Sequence, residues 1–145
     1  MTKKTKITII ILLFVNFSNL LFADNKFFTE GEKKYIEKKY KDSKFLFQRS
    51  IVFNPKDVNS YLYLAKIYNF EENKIEEEKN IHTALLLDPK NEEATFMLMK
   101  IELKKSNYSK VKELVETFSK VCKNMCKKKD LILDSLRNLE PKNES

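Results

Sequence analysis

The sequence predicts an all-helical chain, an α-solenoid of repeated helix pairs, and three observations carry that reading. First, glycine occurs once (Gly31) and proline three times (Pro55, Pro89, Pro141) in 145 residues, far below the usual content of turn residues. Sandwiches, barrels and doubly wound sheets need glycine at many tight turns and phosphate loops, so a single glycine argues against them. Second, the chain repeats at 34 residues: Phe53-Asn54-Pro55-Lys56 returns as Leu87-Asp88-Pro89-Lys90. A period of that length in a helical chain signals stacked helix pairs. Third, apolar residues inside each copy fall on helical faces. With 42% hydrophobic and 12% aromatic residues, the chain can build a core and does not read as disordered.

The first element is a leader. Lys3, Lys4 and Lys6 precede the apolar run Ile7–Val15, then Asn16–Asn19 and Leu20-Leu21-Phe22-Ala23. A basic start, an apolar stretch and a small residue at the cut describe a secretory signal peptide over residues 1–23. The alternative is an uncleaved inner-membrane anchor facing the periplasm, for which the stretch is short. Cleavage after Ala23 leaves 122 residues with 25 basic and 21 acidic side chains, a formal charge of about +4.

The repeat domain is expected over 24–140, with copies at about 24–57, 58–91 and 92–125. Positions 34 apart match across them: Phe28, Leu62 and Phe96; Gly31, Ala65 and Met99; Phe47, Ile81 and Val115; Ser50 and Ala84, with a larger Phe118 third. In the second copy Tyr61, Leu64, Ala65 and Tyr68 share one helical face, a turn follows around Asn69–Asn73, and Ile81, Ala84, Leu85 and Leu87 mark a second helix. Asp88-Pro89 stops it, because the residue before proline avoids the α region and proline has no N–H. After the third copy, Leu131, Ile132, Leu136 and Leu139 form one apolar face of a cap helix over about 128–139, which a solenoid needs to cover its last pair. Residues 141–145 read as a tail.

These residues resemble the tetratricopeptide repeat (TPR) signature. Tyr61, Leu64, Ala65, Tyr68, Ile81, Ala84 and Pro89 match its pattern of aromatic, leucine, small, aromatic, large apolar, alanine and proline. The first copy matches through Gly31, Tyr40, Ser43, Phe47, Ser50 and Pro55 and departs at Glu30 and Lys34, where Tyr35 stands one step later. The third matches through Leu98, Tyr108, Val111, Leu114 and Val115 and departs at Thr95, Met99, Glu102 and Phe118. The resemblance implies a right-handed α-solenoid of about three TPR helix pairs plus a C-terminal capping helix. It also implies a concave groove lined by the first helix of each pair. It puts Phe28, Leu62 and Phe96 there, with Lys66 and Lys100 one turn on, Glu32 as the first copy's counterpart, and Asn59 and Glu93 near the opposite rim. Lysines beside an apolar stripe suit a helical or extended protein segment that carries acids. Equally, the three large residues can wedge between neighbouring helices. The chaperone-tail binders of this family carry lysines and asparagines where this chain has Phe28, Leu62 and Phe96, so a carboxylate clamp of their kind is not expected.

Chemistry beyond binding is sparse. There is no glycine-rich phosphate loop, nucleophile elbow or histidine–glutamate metal motif, and no cofactor is expected. The one histidine, His82, reads as helix surface, and the Glu76–Glu78 run as a solvated face. Asn107-Tyr108-Ser109 and Asn143-Glu144-Ser145 match a glycosylation pattern too short to carry weight. Only Arg49 and Arg137 are arginines, and lysines interleaved with glutamates do not make a nucleic-acid patch. Cys122 and Cys126 are the only cysteines. In an exported chain the pair reads as a disulfide closing the turn before the cap helix, worth roughly 2 kcal/mol for so short a loop. Two free thiols, or a metal or redox pair, are the alternatives.

The expectation is an exported, non-catalytic scaffold that binds a protein or peptide partner in the cell envelope. No nucleic acid is expected, membrane contact arises only through an uncleaved leader, and self-association is open. The competing reading is a thiol- or metal-handling protein that works through Cys122 and Cys126.

Overall fold

A computed structural model describes residues 26–139; the leader (1–23) and the tail (141–145) lie outside the described residues. Within them are seven helices and no strand: α1 (26–36), α2 (Tyr40–Phe53), α3 (Val58–Phe70), α4 (Lys74–Leu87), α5 (Glu92–Lys104), α6 (Tyr108–Val121) and α7 (Lys128–Leu139). In chain order they run as three successive pairs, each joined by a short turn, followed by a seventh helix. The chain divides into two compact units, one ending at Ile67 and the other beginning at Tyr68.

The turn inside each helix pair is built the same way. Lys38, Glu72 and Ser106 adopt left-handed φ values of 59°, 57° and 58°. At each turn two backbone bonds close the preceding helix. Lys38 N–H donates to Tyr35 and Lys39 N–H to Lys34; Glu72 to Asn69 and Asn73 to Tyr68; Ser106 to Leu103 and Asn107 to Glu102. This is the Schellman termination, usually made with glycine at the left-handed position. Here each of the three turns places an exposed non-glycine side chain there. Asn73 and Asn107 then cap the next helix, their side chains accepting from Glu76 N–H and Lys110 N–H. Lys39, at the corresponding position, caps nothing with its side chain.

In the first unit, α1 meets α2 at Gly31. Ser43 Oγ donates to the Gly31 carbonyl at 2.9 Å, and a Cβ on Gly31 would lie 2.9 Å from Cε1 of Phe47. The only glycine is therefore a packing residue: it lets the fully buried Phe47 ring seat against the α1 backbone. Phe47 stacks on Tyr63 at 4.6 Å and 9°. Phe28 leans on both rings, and Tyr35 joins Tyr63 to Tyr40. At the start of α3, Ser50 and Ser60 hydroxyls both donate to Asp57 Oδ2, while Asp57 Oδ1 accepts from Asn59 N–H at 3.1 Å.

In the second unit, α5 packs against α4 and α6, and α7 packs on both α5 and α6. Helix α6 is plainly amphipathic, burying Val111, Leu114, Val115 and Phe118 at the i, i+3, i+4, i+7 spacing of one face. The third copy's departures from the repeat pattern find physical reasons. Met99 and Phe118, at positions small in other copies, are fully buried and fill core volume. Thr95 returns its hydroxyl to the Asn91 carbonyl at 2.8 Å. The buried Glu102 carboxylate accepts from Asn107 Nδ2 at 2.7 Å, as buried Glu77 does from Asn69 Nδ2 at 2.8 Å. Among the described residues no buried polar side-chain atom lacks a hydrogen bond, which is what burying polar groups requires.

Candidate functional site

Helix α5 begins at a firm cap: Asn91 Oδ1 accepts from Ala94 N–H at 3.0 Å. From there it buries most of its length but leaves Phe96 half-buried and Lys100 and Lys104 exposed. With Leu103, these share a face at i, i+4, i+7 and i+8. Helix α7 buries only Ile132 and Leu136 deeply and offers Leu131 and Leu139, 60% and 55% exposed. Together the two helices enclose an open cleft of about 390 Å³, lined by Phe96, Lys100, Leu103, Lys104, Leu131, Ile132, Ser135 and Leu139.

The lining contains no acidic residue. Lys100 Nζ and Lys128 Nζ lie 5.9 and 5.0 Å from the centre of the Phe96 ring, within cation–π reach. Ser135 Oγ is committed to the Leu131 carbonyl at 2.8 Å. The cleft thus combines an apolar floor with ammonium groups at its edge. A smaller cavity of about 90 Å³, between α4 and α5, is lined by Lys74, Glu77, Glu78, Ile101, Lys104 and Lys105. An ion pair of Lys105 with Glu78, at 2.5 Å, closes its charges on each other. The Lys105 hydrogen bond holds the Glu78 carboxyl below its ordinary range against the upward push of burial.

The loop leading into α7 is held twice. Cys122 and Cys126 form a disulfide, with Cα atoms 5.3 Å apart. Cys122 ends α6 in extended backbone, so the pair is not spanned by continuous helix. Opposite the bond, Glu92 in the first turn of α5 accepts from three successive loop amides: Lys123 N–H at 2.9 Å, Asn124 N–H at 3.0 and 3.2 Å, and Met125 N–H at 2.6 Å. Burial pushes the Glu92 carboxyl up, but the three amides and the Lys123 charge outweigh it and hold the group below its ordinary value. Lys123 stands where the first two copies have proline. Proline has no N–H to give, so the substitution supplies a donor that the clamp uses.

The residues assigned to a groove meet different fates. Phe96 and Lys100 line the open cleft. Phe28, Glu32 and Lys66 gather around Tyr63 in the first unit: its hydroxyl donates to Glu32 Oε1 at 2.9 Å, and Lys66 Nζ sits 4.6 Å from its ring centre. Leu62 follows the wedging alternative. It is 2% exposed and belongs to the core, because α3 buries Ser60, Leu62, Leu64, Ala65 and Ile67 around much of its circumference. Asn59 is exposed at the start of α3, and Glu93, partly buried in the first turn of α5, is not among the residues lining the cleft. His82 is exposed, 3.6 Å from Glu78. Asn107 serves as a cap and as a donor to Glu102, so the first glycosylation pattern falls on a committed side chain. Among the described residues no group of three or more His, Cys, Asp or Glu is placed to hold a metal ion. Missed from sequence were Tyr63, Glu92, Leu103 and the exposed face of α7.

No protein-family model matches the chain, and no curated protein matches it. Solved structures do. The TPR2B domain of yeast Sti1, in complex with pHsp70, superposes with a TM-score of 0.72 at 13% identity over 82% of this chain and 99% of that one. The TPR domain of Arabidopsis OM64 gives 0.72 at 16% identity over 82% and 98%. The Yersinia enterocolitica type III secretion chaperone SycD, in complex with a peptide of the translocator YopD, gives 0.69 at 14% over 79% and 90%.

Proposed function

We propose a function from the surface of the domain, because its fold is that of TPR domains and fold alone does not name an activity. We propose that the chain is an exported adaptor, without catalysis of its own, that holds a segment of a protein partner in the cleft between α5 and α7. The observation that carries this is the cleft itself: exposed Leu131 and Leu139 and half-buried Phe96, edged by Lys100, Lys104 and Lys128, with no acid in the lining. Such a surface takes apolar side chains into its floor and acidic ones at its edge. Two structural neighbours, Sti1 TPR2B and SycD, were solved with partners bound, which supports reading the fold as a binding scaffold here. Export, with a role in envelope assembly or maintenance, is supported by the leader pattern and by a disulfide that needs an oxidising compartment.

The test is a crosslinked pull-down from envelope extract, with the chain from Asp24 as bait and a Leu131→Glu/Leu139→Glu double variant as control. Both leucines are already exposed, so the variant keeps the fold. A partner captured by the parent bait and lost from the variant supports the reading; equal capture by both contradicts it. N-terminal sequencing of the exported protein tests the leader, with Asp24 as the expected first residue.

A further inference from the structure

The disulfide is tied mechanically to the cleft. The Cys122–Cys126 loop leads directly into α7, with Lys128 N–H bonded to the Met125 carbonyl and Lys129 N–H to that of Cys126. Helix α7 supplies one whole wall of the cleft through Leu131, Ile132, Ser135 and Leu139. Its own hold on the domain is slight: it is 12 residues long, buries two side chains well and is pinned at its far end by the exposed Tyr108 hydroxyl bond to the Leu139 carbonyl, and so short a helix is marginal without its packing. What fixes its start is the disulfide, together with the three amides that the closed loop aims at Glu92. Glu92 lies one turn before Phe96 on α5, so the clamp joins the two walls of the cleft at one end. Both cysteines are partly exposed, and Lys123 and Asn124 between them are exposed, which leaves the bond open to an incoming thiolate.

We propose that the Cys122–Cys126 disulfide is a redox latch on this cleft: its reduction by a dithiol releases α7 and dismantles the cleft while α4–α6 stay folded. The reductant's thiolate attacks one Sγ, the S–S bond breaks and a mixed disulfide forms. The reductant's second thiol then closes its own disulfide, so two electrons and two protons pass to Cys122 and Cys126 as free thiols. The freed loop no longer presents its amides in one direction, Glu92 loses its partners, and α7 is left with its packing and the Tyr108 hydroxyl bond to the Leu139 carbonyl at its far end. This rests on the cleft being the binding site only for its biological meaning; the latch itself is a property of the chain.

Hydrogen exchange on the full chain, oxidised and then reduced with dithiothreitol, tests it. On reduction the α7 amides (131–139) are expected to exchange about thirtyfold faster, the factor that corresponds to closing a five-residue loop, and to open ahead of the α4 amides around Ile81–Leu85. The Cys122→Ser/Cys126→Ser double variant should reproduce the reduced pattern without a reductant. Glu92→Ala in the oxidised chain should speed α7 exchange and shrink the further effect of reduction. Unaltered α7 exchange on reduction, or α7 and α4 opening in step in the reduced chain, overturns the latch. Neither result bears on partner capture, and equal capture by the Leu131→Glu/Leu139→Glu variant would overturn the binding reading without touching the exchange data.

Discussion

Replacing Lys38, Glu72 and Ser106 together with glycine should raise the stability of the chain, an unusual direction for a triple substitution. All three residues hold left-handed backbone, with φ of 57–59°, and all three side chains are exposed, so their loss removes no packing. Relief of the left-handed conformation is worth roughly 1–2 kcal/mol at each position. The extra freedom of glycine in the unfolded chain takes back about 0.5–1 kcal/mol. The difference is about 0.5–1 kcal/mol per turn, and sites in separate turns with no shared partners add, giving about 2 kcal/mol for the triple variant. For a domain of this size that raises Tm by about 7 °C. Thermal melting by far-UV circular dichroism reads it directly, and each single variant should contribute about a third. A triple variant that melts at or below the parent temperature would refute the reasoning, because the turns would then hold no recoverable strain.

Three further outcomes follow from local geometry. Gly31→Ala gains about 1 kcal/mol of helix propensity but forces a methyl to within 2.9 Å of a buried, stacked Phe47 ring. Overpacking at about 1–3 kcal/mol wins, so Tm should fall by a few degrees; an unchanged or higher Tm would show that Phe47 can yield. Lys39→Asn installs at α2 the side-chain cap that Asn73 and Asn107 give α4 and α6. It should gain about 1 kcal/mol, because the exposed Lys39–Glu37 pair it removes contributes little; chemical denaturation measures it. Glu92 titrates below its ordinary 4.5, so its clamp stabilises fully above that pH and is lost as pH falls through the lowered value. The Tm gap between parent and Glu92→Gln should therefore be present at pH 7 and shrink in acid; a gap that widens in acid would reverse the sign of the argument.

The helix pairs were legible because their causes are local and repeat. Scarce glycine and proline, the 34-residue echo of Asn54-Pro55 in Asp88-Pro89, and the small residues Gly31 and Ala65 between larger ones each act within a turn or two of helix. The disulfide was legible from the leader-like pattern of residues 1–23 and the close spacing of the only two cysteines. Surface exposure was not. Leu62 and Phe96 occupy matching repeat positions, yet one is enclosed and the other lines an open cleft, because exposure depends on what packs beside each helix rather than on register. Tyr63 has no aromatic counterpart at Thr29 or Met97, so nothing in the repeat marked it, although it joins α1, α2 and α3. By sequence alone Glu92 is one more acid in a helix's first turn. Its reach of 31–33 residues to the loop is a tertiary fact, and the one trace of it in the sequence was Lys123 at the proline position.

If the proposed function holds, partners meet this chain in the α5–α7 cleft. A photoreactive residue introduced at Ser135, inside the cleft, and separately at Glu116, on the exposed face of α6, tests it most directly in living cells. A discrete crosslinked adduct is expected from position 135 and none from 116. Adducts from 116 alone, or equally from both, would contradict it.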